Sequence, residues 1–447
     1  MVFPGGDIFQ LQTQKKRPSF CGFVFILYFC SMKYWLTIWV LLMVARIGCA
    51  QVAVDSVWRS DVKTVTLYRD GVELEAPVLT LGGSDRLRLQ FDVLSDQPEH
   101  LRYTIAHCDA DWRRDDLEPY EFISGFESGI VEGYDFSFTT RVPYVHYFQV
   151  LPDRYAQFTH SGNYVLTVSL SDQPDSVLLT RRFCVSEKAA TVEASIVRPY
   201  DGIEIDRRQQ VDVAVTSNVM PFLPQYVTVV AQQNGRTDNQ RHLEFSGYSG
   251  QALCFRNRPC NIFDGGNTFR YFDLSNLHAP MYNVQRVESY GGETFAIIKP
   301  LEDRSRKHFI AEKVLNGGMR VNVWDRSNPS IEADYVWVNV SLPMAQPFID
   351  GSVHIVGALT DWRTDSASRM EYNPRFHAYT ARLLLKQGYY AYQLLFQPAR
   401  GGVATTARLE GDHHETPNNY TIYVYYRTPA DRADRLLQCV SLFSNMR

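Results

Sequence analysis

At 447 residues the chain is too long for one ordinary hydrophobic core and has room for about three domains. Phe, Trp and Tyr make up 13% of it, which favours strands over helices because flat and β-branched side chains pack well on a pleated surface. Asp and Glu total 49 against 45 Lys and Arg, for a formal charge of −4. Without a basic stripe, the chain lacks the electrostatic footprint that nucleic-acid binding needs.

The N-terminus reads as a targeting segment. Met32 and Lys33 open a short basic region, residues 35–45 form an apolar run, and Gly48, Cys49 and Ala50 place small residues where a leader peptidase cuts. The expectation is a signal segment over 1–50, a true start at Met32 and a mature chain from Gln51. A second reading joins the apolar residues 20–30 to the next run as a membrane span interrupted by Lys33. A lipid anchor on Cys49 fits less well, since Arg46 stands where an aliphatic residue is wanted. Cleavage would remove five Lys or Arg and one Asp, so the mature chain would carry −8.

Residues 51–188 read as a first β-sandwich domain. Strands are expected at 62–68, 87–93, 101–107, 147–151 and 164–170, several with strict alternation, punctuated by Gly82-Gly83 and Ser161-Gly162-Asn163. After 101–107, the run His107-Cys108-Asp109-Ala110-Asp111-Trp112 is expected to bend the chain, with Asp109 and Asp111 bonding to local backbone and Trp112 locking the corner. The alternation lapses around Glu187 to Ala190, and a second β-domain is expected over 189–345. Its strands are read at 192–197, 210–216, 227–232, 269–273, 320–323 and 335–340, with an aperiodic stretch from 237 to 266. The prolines of Pro343-Met344-Ala345-Gln346-Pro347 suggest a linker. A third domain is expected over 346–447, with strands at 353–356, 377–385, 389–396 and 420–426. Short turn-bounded strands without amphipathic helices between them define the fold class: all-β, tandem immunoglobulin-like sandwiches.

Four separated runs carry a resemblance to a known family. They are Tyr103 to Trp112 continuing through Glu118 to Phe126, Phe263 to Asp273, Ser330 to Ser341, and Asn418 to Arg435. Together they span nearly the whole mature chain. They resemble the plug protein family of the Bacteroidetes type IX secretion system, long catalogued as a domain of unknown function. The resemblance implies a periplasmic all-β protein that closes the inner mouth of an outer-membrane translocon barrel when no cargo is engaged. It implies no catalytic step, no cofactor and no small-molecule substrate, and membrane association only through the translocon. Its signature residues here are His107, Asp109, Asp111, Trp112, Tyr425, Tyr426, Arg427, Asp431, Arg432 and Asp434. The C-terminal group reads either as a last strand with a salt-bridged exit loop or as a partner-facing patch, since Tyr and Arg dominate binding hot spots.

Three further patterns carry chemistry of their own, and two pairs of side chains fall short of it. Residues 353–362 and 386–394 are similar to early-set immunoglobulin domains that bind starch and glycogen, so Trp362, Tyr389, Tyr390 and Tyr392 form a candidate glycan platform and the alternative function, although the plainer reading is that Trp362 caps the core and the tyrosines split between core and surface. Cys254 and Cys260 bracket five residues and are a candidate disulfide, or else two of five unpaired thiols in the mature chain. Asp412-His413-His414-Glu415 is the densest set of potential metal ligands, but adjacent side chains in an extended segment point apart and a polar loop is the plainer reading. Asp109 with Asp111, and His107 with Cys108, lack the partners and separations that hydrolysis requires.

Overall fold

A computed structural model describes residues 52–200, 204–312 and 315–444. The expected signal segment lies outside the described residues. The first sandwich pairs two antiparallel sheets. One runs Ser56–Val57, Val177–Ser186, Gly162–Leu170, Leu101–Cys108, Ser128–Ile130, with Val78–Thr80 alongside Val177–Ser186 in parallel. The other runs Val62–Arg69, Leu87–Val93, Val145–Leu151, Gly133–Phe136. Strand alternation sends Leu87, Leu89, Phe91 and Val93 into the core while Arg88 and Gln90 stay half-exposed. Aromatic stacking fills the space between the sheets: Phe91 on Tyr147 at 5.3 Å and Tyr164 on Phe183 at 5.2 Å.

Sheet membership changes between Ser186 and Ala190. The second sandwich has one sheet of Ala190–Val197, Arg208–Ser217, Ala252–Phe255 and Gly247–Ser249, with Ile262–Asp264 also on Arg208–Ser217. Its other sheet runs Arg241–Leu243, Val227–Gln233, Asn419–Tyr426, Arg435–Phe443. The C-terminal strands therefore complete the second sandwich. Tyr420, Ile422, Val424 and Leu437 share one core with Val213, Val229 and Phe255.

This corrects the partition expected at residue 345. Strand Tyr335–Pro343 pairs along its whole length with Ala378–Lys386, so the Pro343 to Pro347 segment joins strands of one sheet and separates no domains. The third unit lies between Asp264 and Asn419 in sequence. Its strands run Arg270–Asp273, Gly388–Pro398, Gly351–Val356, Arg369–Asn373, Ala378–Lys386, Tyr335–Pro343, Glu293–Ile298, Val284–Tyr290, with Met319–Val321 also on Gly388–Pro398. Phe272, Tyr390 and Leu394 from one end of this order meet Ile298, Val336 and Val338 from the other in a single core. The sheet thus folds over on itself. Prolines fix local dihedrals but carry no information on which strand lies beside which, and that is why the linker signal misled.

Candidate functional site

The signature residues near 107–112 and 425–434 come together. After strand Leu101–Cys108 the chain turns because Asp109 Oδ1 accepts hydrogen bonds from the backbone of Asp111 at 2.9 Å and Arg113 at 2.8 Å. Trp112 sits in the left-handed region at φ 63°, a conformation that a non-glycine residue holds only when its surroundings over-determine it. Here burial and the Arg182 guanidinium, 4.5 Å above the indole, supply that constraint. Glu118 and Glu121 then form a capping box around the single helical turn Pro119–Phe122.

Across from this corner lies the end of the second sandwich. Asp434 Oδ2 accepts from the backbone of Ala110 at 2.8 Å, and Tyr425 donates to Asn163 Oδ1 at 2.8 Å. The amide of Asn163 donates to the carbonyl of Asp109, also at 2.8 Å. Ala110, Trp112 and Cys184 of the first sandwich form one apolar cluster with Val230, Tyr423, Tyr425 and Leu436 of the second. Arg432 bonds Glu121 at 2.7 Å, and Arg435 bonds Glu187 at 2.7 Å.

The remaining signature residues serve local ends. Tyr426 faces the core of the second sandwich and donates to the carbonyl of Pro221 at 3.0 Å. Asp431 accepts from the backbone and hydroxyl of Thr428, both at 2.7 Å, and fixes the turn. Arg427 is exposed and donates to the carbonyl of Arg432 at 3.0 Å; Asp111 is exposed beside Arg113 at 2.9 Å. His107 is buried, with Nδ1 on the Asp115 carboxylate and Nε2 3.1 Å from the carbonyl of Ser161. Burial opposes the charge on Asp115, yet His107 outweighs it and holds the carboxyl below its usual range. Both imidazole nitrogens are engaged, and burial pushes the neighbouring Cys108 thiol up to about 12. The pair is a structural contact without a base face or a thiolate to offer.

Two further junctions were missed in the sequence. Asp92 of the first sandwich binds Lys386 Nζ at 2.6 Å, the Tyr335 hydroxyl at 2.6 Å and His146 Nδ1 at 2.7 Å. Lys386 also donates to the carbonyl of Ser330 at 2.6 Å and lies 4.1 Å from the centre of the Tyr144 ring. Burial opposes the charge on Asp92, and Lys386 and His146 together keep it ionised below the ordinary carboxylate range. The second lies beside Glu410, which is fully buried within the third unit and takes Arg270 at 2.9 Å and Arg304 at 2.6 Å. Just beyond it, Asn418 donates to Gln209 Oε1 at 2.9 Å and to the carbonyl of Gly265 at 2.8 Å, tying the second sandwich to the ends of the third unit. Charged residues in alternating strands read as solvent-facing. Only pairing across the fold marks them as buried.

The glycan platform is corrected. Tyr390 and Tyr392 lie in the core of the third unit. Tyr389 is half-buried and stacks on Tyr271 at 5.5 Å, while the half-buried Trp362 meets Phe269 edge-on at 6.0 Å. Alternation along Gly388–Pro398 sends these tyrosines to opposite faces, so no coplanar exposed set forms. The disulfide expectation is also corrected, for Cys254 and Cys260 are both free thiols. Leu253 and Phe255 point into the core and Cys254 away from it, while Cys260 accepts from the backbone of Glu244 at 3.4 Å. Asp412 accepts from the backbone of Gly266 at 2.9 Å, and His414 Nδ1 donates to the carbonyl of Arg208 at 2.9 Å. Among the described residues no group of three or more His, Cys, Asp or Glu stands ready to hold a metal ion.

Fold and junctions define a multi-sandwich all-β protein in which buried polar groups such as Asp92, Lys386, Asn163 and Asn418 fasten one domain to another. Residues 62–187, the body of the first sandwich, match the family described as the type 9 secretion system plug protein 1st domain. That match supports a role in type 9 secretion. A crystal structure of a hypothetical protein from Parabacteroides merdae has the same fold, with a TM-score of 0.86 and 28% identity over 88% of this chain and 100% of that one. A Pseudomonas fluorescens alkylpurine DNA glycosylase bound to DNA aligns over 28% of this chain and 30% of its own at 12% identity, and its TM-score of 0.16 carries no likeness of fold. No curated protein matches.

Proposed function

We propose that this chain is a non-enzymatic plug that occupies the periplasmic opening of the type 9 translocon barrel and seals it between cargoes. The observation that carries this reading, beside the family match, is the fastening of the sandwiches by buried polar contacts. Asp92 with Lys386 joins the first to the third, and Asp434, Asn163 and Tyr425 join the first to the second. A body that closes a wide pore must resist being bent by a partner or by pressure of solute, and buried ion pairs resist relative motion because separating them strands charge in a low dielectric. The protein acts from the periplasm at the inner face of the outer membrane, held there by the barrel. No helix among the described residues is long and apolar enough to cross a membrane. The glycan-binding alternative loses its support with the burial of Tyr390 and Tyr392.

Deleting the gene tests the reading. Loss of the plug raises uptake of a large dye or antibiotic that the outer membrane otherwise excludes, and deleting the barrel as well restores the barrier. Unchanged permeability in the single deletion would refute it.

A further inference from the structure

The first sandwich leaves one side open. Strand Ser128–Ile130 ends one of its sheets and strand Gly133–Phe136 ends the other, and only Val131 and Glu132 separate them. Both free edges therefore lie on the same side of the sandwich. Proteins blunt such edges with lysine, proline or a covering loop, because unpaired backbone groups invite another strand. Here the charge is of one sign, which repels another acidic strand but admits a basic one: residues 116–138 contain six Asp or Glu and no Lys, Arg or His.

Large apolar side chains stand out from the same stretch. Phe126 is 65% exposed, Phe136 52% and Phe138 60%, with Ile130 and Tyr134 beside them. The Tyr134 and Phe136 rings meet edge to face at 5.9 Å. Of the nearby carboxylates, Glu121 is taken by Arg432 and Glu118 by its capping box. No cation among the described residues pairs with Glu127, Glu132 or Asp135.

Resting on the plug reading above, we propose that this edge is the face that seats on the translocon, and that it takes an extended segment of the barrel carrying Arg or Lys between apolar residues. Charge decides between occupants. A second copy would bring carboxylates against carboxylates, whereas a guanidinium satisfies Glu127, Glu132 or Asp135 and lies over an exposed ring at the same time. Backbone pairing along the open strands would supply affinity, and alternate side chains the specificity.

The test uses the full mature chain and barrel purified in detergent. Wild type binds, and binding weakens as salt rises. The triple variant E127K/E132K/D135K, with a melting temperature close to wild type, binds at least tenfold more weakly. A photo-crosslinking residue at Tyr134 joins the barrel, and the same residue at the exposed Tyr248 of the second sandwich does not. Should wild type bind independently of salt, or bind while Tyr134 gives no crosslink, the edge assignment falls and the plug reading stands. If wild type fails to bind the barrel at all, both fall. Concentration-dependent dimers crosslinked through Tyr134 would show a second copy on this face and would also overturn it.

Discussion

Lys386 Nζ lies 2.6 Å from Asp92 Oδ2 although the two residues are 294 positions apart and each side chain is 1% exposed. Burial lowers the affinity of Lys386 for its proton, and Asp92 opposes that effect. Neither charge would be tolerated there alone, so each depends on the docking of the third unit on the first sandwich.

Removing one partner should be expensive. Lys386→Met leaves Asp92 buried with only Tyr335 and His146, and a loss of about 3–5 kcal/mol is expected from denaturant unfolding. Combining it with Asp92→Leu should recover at least half of that loss, because no unpaired charge remains. Additive losses in the double variant would contradict the pairing.

Gly162 tests the junction of the first and second sandwiches. Its φ is 144°, and a Cβ there would strike His107 Nε2 and come within 3.1 Å of the carbonyl of Asp434. Gly162→Ala should therefore cost more than backbone strain of about 1–3 kcal/mol. Gly71→Ala is the control, since its φ of 85° brings the same kind of strain with nothing within 4 Å of the new methyl. Equal melting temperatures for the two variants would show that the junction yields freely.

Asp412 predicts a pH dependence. Burial, aided by Asp264, pushes its carboxyl up to about 6. A carboxyl raised in the folded state contributes stability that is present below its unfolded value of about 3.9 and is lost as pH rises through the folded one. Asp412→Asn should thus raise the melting temperature at pH 7 to 8, on the order of 1–3 °C, with the gain vanishing near pH 4. A gain that persists at pH 4 would point to some other cause.

The thiols should differ in reach. Iodoacetamide at pH 8 is expected to label the half-exposed Cys260 first in the native protein. Cys108 and Cys439 are held back by thiols pushed up to about 12, and Cys184 by full burial. In denaturant without reductant, Cys254 and Cys260 should both alkylate. A mass showing them joined would restore the disulfide.

The sequence by itself determined the class of fold, because period-two alternation in runs such as 87–93 and 164–170 reports which face of a strand is dry. It also determined the corner at Asp109 to Trp112, where short polar side chains bond within a few residues of themselves, and it carried the family resemblance that the first domain bears out. Tertiary structure decided everything that depends on partners hundreds of residues away. Strand Asn419–Tyr426 alternates identically whether it closes a third domain or pairs with Val227–Gln233, as it does. Gly388–Pro398 looked like a sugar platform until its pairing with Gly351–Val356 sent Tyr390 and Tyr392 inward. Nothing in the local sequence marks Asp92, Lys386 and Glu410 as buried, because local pattern records polarity and says nothing of burial. Desolvation is a property of the whole assembly, and only the packed domains could show which charges it had been offset for.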